Sequence, residues 1–152
     1  LIGLKKKTFY IFEEKNLSTT DIKHKNRYLK NKKKIKKKIK LIAKSLNEII
    51  HQYEEKYCKQ KIKIDFLKID TEGSELEILK SINLLKYRPC LIQIEIKNLN
   101  LNNKKFLNHN VVKFLKKNNY SFVAKTLLDS FFIDTLSDNF KFLPNKLTNI
   151  NI

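Results

Sequence analysis

The chain has no methionine and no tryptophan, and its 152 residues include only two glycines, two prolines and two cysteines. Each scarcity excludes something. With Gly3 and Gly73 as the only glycines, no glycine-rich loop of the kind that cradles a nucleotide or its phosphates is present. Cys58 and Cys90 form neither a CxxC pair nor a metal-ligand spacing and read as reduced thiols of a cytoplasmic protein. His24, His51 and His109 lie in unrelated segments and read as surface residues, so no metal is expected. No apolar run approaches the ~20 residues of a spanning helix, so no membrane partner is expected. No apolar stretch follows Lys5-Lys6-Lys7 as a signal peptide requires. The first residues are Leu1-Ile2-Gly3-Leu4 rather than Met, and the expectation is a fragment.

Acidic charge is scarce as well. Fifteen Asp and Glu face 33 Lys and Arg, for a formal net charge of +18. Residues 1–61 hold 19 basic and 6 acidic side chains, a net of +13, while residues 62–152 hold 14 and 9, a net of +5. The peak runs from Lys30 to Lys40. Only Arg27 and Arg88 are arginine, whereas proteins that read bases favour its two-pronged fork. Lys, Asn and Ile are the residues that AT-rich codons supply, which accounts for the basicity without a partner. The rival reading is a small basic α/β protein that binds RNA or other polyanions through Lys30–Lys40.

What is present is an ordered series of apolar segments. Phe9–Phe12, within an aromatic and β-branched run, reads as a short strand. A polar, lysine-rich loop follows over 13–40, with a brief strand at Ile39–Ala43. Ser45-Leu46-Asn47-Glu48 is a capping box that opens a helix over 46–57. Ile62–Asp70 reads as a strand apolar on both faces, as a central strand of a parallel sheet requires. A second capping box, Ser74-Glu75-Leu76-Glu77, opens a helix with Leu76, Leu79, Ile82 and Leu85 as its buried stripe. Leu91–Ile96 is the next strand, Lys104–Asn118 a helix, and Tyr120–Leu128 with Ser130–Ile133 an antiparallel pair around Asp129. The fold class is α/β, and the order of elements is that of the C-terminal half of a doubly wound sheet.

Chemistry concentrates where the strand 62–70 hands over to a helix: Lys68-Ile69-Asp70-Thr71-Glu72-Gly73-Ser74-Glu75. Ligands of open α/β sheets collect at the carboxyl ends of strands. Each residue there also has a structural reading. Glu77 serves the capping box, Glu75 complements the helix dipole, Gly73 permits a turn with positive φ, and Lys68 neutralises Asp70. Asp70 and Glu72 read as functional, because two unpaired carboxylates at a strand end are not needed for folding.

The pattern Lys68, Ile69, Asp70, Glu72, Gly73, Glu75, Leu79, Pro89 and Glu95 resembles the FkbM family of methyltransferases. The resemblance is strongest over Ile62–Lys97 and extends over residues 1–133, with residues 134–152 left as an irregular tail. It implies a Rossmann-like class I sheet lacking its first strands. It implies S-adenosylmethionine as methyl donor, with the main donor-binding loop outside this chain. It also implies O-methylation of a sugar or natural-product hydroxyl, so that the partner is a small-molecule or glycan acceptor. On this reading Asp70 or Glu72 orients or deprotonates the acceptor, while Lys68 and Glu95 set the local field. Clustered like charges are expected to raise one carboxyl toward neutrality. A degenerate, non-catalytic remnant serving as an interaction domain is a third reading. If the first strands are absent, the strand 62–70 is expected to be open along one edge or covered by the N-terminal segment.

Overall fold

The aromatic run of the N-terminal segment pairs with the lysine run, which local pattern alone does not announce. The structure, a computed structural model, describes residues 5–14, 16–58, 60–97 and 104–137. It divides into two units, Leu1–Tyr57 with Thr71–Ile82 and Cys58–Asp70 with Asn83–Ile152. The predicted tail beyond Ser137, like Leu1–Leu4, lies outside the described residues.

In the first unit, β1 (Lys5–Phe12) and β2 (Ile35–Ala43) form an antiparallel ribbon, from Lys5 opposite Ala43 to Ile11 opposite Lys37. Between them lies α1 (Ile22–Lys30), opened by Asp21, whose Oδ1 accepts the His24 N–H at 2.7 Å. The predicted loop over 13–40 is therefore corrected to a helix and a strand. The lysines of β2 are drawn into a strand because β1 supplies the hydrogen-bonding partner, and β-structure depends on such neighbours more than on intrinsic preference. Phe12 and Tyr28 are buried in edge-to-face contact, 5.3 Å between ring centroids.

The helix α2 (Leu46–Tyr57) forms with the predicted capping box: Ser45 Oγ accepts the Glu48 N–H at 3.1 Å, and Glu48 Oε2 accepts the Ser45 N–H at 2.6 Å. The second box does not form. Ser74 caps nothing with its side chain, its hydroxyl being bonded to Thr20 Oγ1 at 3.0 Å, and Glu77 pairs instead with Lys7. The helix α3 (Glu75–Lys80) is short: Leu79 and Ile82 are buried, while Leu85 lies past its end and is exposed. Ser81 ties the two helices, accepting the Leu46 N–H on Oγ and the Asn47 N–H on its carbonyl.

The second unit is a four-stranded mixed sheet of β3 (Phe66–Ile69), β4 (Leu91–Glu95), β5 (Tyr120–Lys125) and β6 (Asp129–Asp134), in the order β3-β4-β6-β5. β3 and β4 are parallel, and β6 runs antiparallel to both of its neighbours. The predicted helix over 104–118 splits at His109, whose extended backbone separates α4 (Lys104–Leu107) from α5 (Asn110–Lys117). Ile92, Ile94, Phe106, Val112, Leu115 and Phe132 form the fully buried centre of this unit. The mixed α/β arrangement agrees with the α/β class expected from the sequence. The strand predicted over 62–70 is only four residues long and lies at the sheet's edge, with Phe66 half-exposed. Among the described residues its outer edge pairs with no other strand.

Arg88 and Asp134 lock this sheet. The guanidinium grips the carboxylate with two bonds, Nε to Oδ2 at 2.9 Å and Nη2 to Oδ1 at 2.5 Å. It also donates to the carbonyls of Leu84 and Asn118. Asp134 is almost fully buried, and the guanidinium is the charge that faces it there. The bond to Asp134 holds the Arg88 guanidinium above its ordinary pKa, against the opposing effect of burial.

Two outcomes follow for stability. Asp134→Ala, which strands a part-buried arginine, is expected to lower unfolding free energy by about 3–5 kcal/mol in a denaturant titration. Glu48 gives a pH dependence: the Ser45 N–H and hydroxyl hold its carboxyl below the ordinary glutamate value of 4.5. A lowered folded pKa means that this contribution is complete above the unfolded value and is lost as pH falls through the folded one. Glu48→Gln should flatten the loss of stability below about pH 4.5, measured against the parent chain.

Candidate active site

The two parallel strands β3 and β4 end level with each other. Ile69 stands opposite Ile94, so Asp70 and Glu95 follow at the same end of the sheet. Their carboxylates come within 4.8 Å of each other. Each has a lysine beside it: Lys68 Nζ lies 3.9 Å from Asp70 Oδ2, and Lys97 Nζ 3.1 Å from Glu95 Oε2. The expectation of an unpaired Asp70 is thereby corrected. Two carboxylates this close repel, and a lysine next to each offsets the repulsion at little cost in a half-exposed site. The Lys125 ammonium, pushed down in pKa by burial, donates to the Ile96 carbonyl at 2.8 Å just beyond β4. Glu95 is nearly buried at 9% side-chain exposure, while Asp70 is open at 44%. That difference makes Asp70 the group a ligand meets.

Glu72 belongs to the first unit, where its partners come from far along the chain. Its backbone is left-handed, with φ +50°, and Gly73 follows at φ +109°. Two hydrogen bonds hold this conformation: Thr19 Oγ1 donates to the Glu72 carbonyl at 2.8 Å, and the Tyr28 hydroxyl to Glu72 Oε2 at 2.7 Å. Here too an expected free carboxylate has a partner. Glu75 closes the turn by accepting the Thr71 and Gly73 N–H groups at 3.1 and 2.9 Å. The carboxylate of Glu75 therefore organises the loop backbone rather than only complementing a helix dipole.

Gly73 faces His24. A Cβ at this position would stand 2.3 Å from His24 Nδ1 and 2.9 Å from Asp21 Cβ. The ring is held by Asp21, with Nδ1 and Oδ1 3.0 Å apart. Burial pushes the Asp21 carboxyl up, and the hydrogen bonds from His24 outweigh it, leaving the group below the ordinary aspartate range. His24 is thus no surface residue. The sequence reading also missed Thr19, Asp21 and Tyr28 as neighbours of the acidic loop. The one local signal was Asp21 three residues before His24, the spacing of a helix cap.

The chain matches the family model described as the methyltransferase FkbM domain over residues 4–122. It belongs to the FkbM methyltransferase family. Neither the curated proteins nor the solved structures contain a match. The matched span of this FkbM chain covers β1 to the first residues of β5, and so includes Lys68, Asp70, Glu72 and Glu95.

A methyl-donor nucleoside needs backbone that it can approach closely, usually at glycine. Among the described residues Gly73 alone is glycine, and the space where its side chain would be is filled by His24. The described residues therefore do not build a cradle for the donor. In this FkbM chain the loop is packed for structure, which sets a test. Gly73→Ala should destabilise by about 1–3 kcal/mol through its positive φ and the contact with His24. Combining it with His24→Ala should relieve the contact but leave the φ penalty, so thermal unfolding recovers only in part.

Proposed function

We propose that this FkbM domain supplies the acceptor side of a methyl transfer from S-adenosylmethionine to a hydroxyl of a sugar or other small molecule. The observation behind this reading is the pair Asp70 and Glu95 at the level ends of adjacent parallel strands in an FkbM chain. Transfer to oxygen needs the acceptor hydroxyl aligned and its proton removed, and positioned groups supply much of the rate. Asp70 is the open member of the pair. Its carboxylate would accept the hydroxyl's hydrogen bond and take its proton, while a bound donor would supply the methyl group, its carbon–sulfur bond breaking and the donor leaving as a neutral thioether. Lys68, 3.9 Å from Asp70, places a positive charge beside the accepting carboxylate. Glu95, held by Lys97, is a fixed negative charge that orients the hydroxyl toward Asp70. Glu72 shapes the loop that follows, because its carboxylate is engaged by Tyr28.

The test uses the intact protein with isotope-labelled S-adenosylmethionine and a panel of free sugars and glycans. Label should appear on an acceptor oxygen. Asp70→Asn should lower kcat by roughly 10²–10⁴ while KM and the circular dichroism spectrum stay near the parent values. Wild-type turnover in a folded Asp70→Asn protein would sink the assignment, and label on nitrogen would sink the hydroxyl acceptor.

A further inference from the structure

The first unit carries a feature that methyl transfer does not use. On the β1–β2 ribbon, Lys38 stands opposite Tyr10, Lys40 opposite Thr8, and Ile42 opposite Lys6. Residues directly opposite in an antiparallel pair share a face, and alternate residues of one strand do likewise. Lys6, Lys38 and Lys40 therefore project from one face of the ribbon, and all three are exposed. Lys38 and Lys40 are about 6.8 Å apart along the strand. Lys6 is the diagonal neighbour of Lys40, about 7–8 Å away. Lys25 adds a fourth cation, its Nζ 5.3 Å from the centre of the Tyr10 ring.

No acidic residue shares that face of the paired strands, and the side chains of Lys6, Lys38 and Lys40 have no hydrogen bond or ion pair among the described residues. Elsewhere some lysines are neutralised and others, such as Lys113, Lys116 and Lys117 on α5, stand exposed without an ion pair among the described residues. Lys7 pairs with Glu77, Lys33 with Glu14, Lys63 with Asp65, Lys68 with Asp70 and Lys97 with Glu95. A biased codon usage accounts for how many lysines the chain has, but not for an unneutralised row on one face. Edge protection accounts for lysines on the outer strand β2, but not for Lys6 on β1 or Lys25 on α1. The ribbon tolerates the row because no two lysines sit directly opposite each other.

We infer that this face of the ribbon binds the phosphate backbone of nucleic acid, without sequence preference. Lysines anchored on the ribbon at backbone intervals near ~7 Å, with flexible stems that let each ammonium reach a phosphate, suit a linear polyanion that extends along the strand. Lysine offers a point charge to phosphate and lacks the planar fork that reads guanine, so base identity goes unread. A lipid surface fits less well: Ile42 is the one aliphatic side chain on this face of the paired strands, too little apolar area to enter a bilayer interface. The inference is independent of the proposed methyl transfer.

The test is fluorescence anisotropy of the full chain with labelled oligothymidylate, between about 50 and 200 mM salt. For the triple variant Lys6→Gln, Lys38→Gln, Lys40→Gln, the slope of log K against log salt should fall by about 2, at ~0.7 per lost phosphate contact. The variant Lys113→Gln, Lys116→Gln, Lys117→Gln on α5 removes the same charge from exposed positions of the other unit and should leave the slope unchanged. Equal losses in both triples would reduce the effect to net charge and overturn the inference. So would no binding to oligothymidylate, whether or not the chain binds vesicles of phosphatidylserine and phosphatidylcholine.

Discussion

The turn from Thr71 to Glu75 is the constraint on which the first unit's packing depends. The chain must leave β3 and enter α3 within a few residues, and it does so through two consecutive left-handed positions, Glu72 and Gly73. A glutamate with positive φ costs on the order of 1–3 kcal/mol and persists only when its surroundings over-determine it. Here they do: Thr19 and Tyr28 hold Glu72, Glu75 holds the amides of Thr71 and Gly73, and His24 fills the space above Gly73. The acidic motif therefore divides its labour. Glu72 and Glu75 keep the turn in shape, and that leaves Asp70 as the exposed carboxylate at the strand end.

The second unit solves a different problem. Its sheet ends in a short antiparallel pair whose last residue, Asp134, is a buried charge. Arg88 meets it with a two-bond grip and spends its remaining donors on the Leu84 and Asn118 carbonyls. One side chain thereby ties together the connector before β4, the turn after α5 and the end of β6. Tyr120 adds to the same cluster: its hydroxyl donates to the Pro89 carbonyl, and burial pushes its pKa up. Removing the aspartate leaves a stranded cation, whereas replacing both partners by apolar groups of similar volume is the gentler change.

Both units carry a formal net charge of +9, and charge is placed unevenly within each. Around Asp70 and Glu95, lysines neutralise carboxylates one for one. On the ribbon they are left facing solvent in a row, with Tyr10 between Lys38 and Lys25. A lysine excess that is heaviest in the first 61 residues thus meets two local environments once the chain folds, one where each carboxylate has a lysine beside it and one with no acidic residue on the same face.

Much of this protein was legible before its structure. The α/β class follows from the order of apolar segments, and α2 from a capping box whose two bonds are local, between residues three apart. Family membership was readable because Lys68, Asp70, Glu72, Gly73 and Glu95 lie in one short stretch of chain and the match over residues 4–122 upholds it. What the tertiary structure decided was everything that depends on a distant partner. The lysine run became a strand because β1 lay beside it. Ser74 and Glu77 failed to form a second capping box because Thr20 and Lys7 took them. Asp70 and Glu95, which sequence reading had placed at strand ends, became close neighbours through the register of β3 and β4. His24, a surface residue by its local context, became the lid on Gly73. Local sequence encodes helices and caps because their bonds span three or four residues; strand pairing and side-chain company span tens, and only folding brings those residues together.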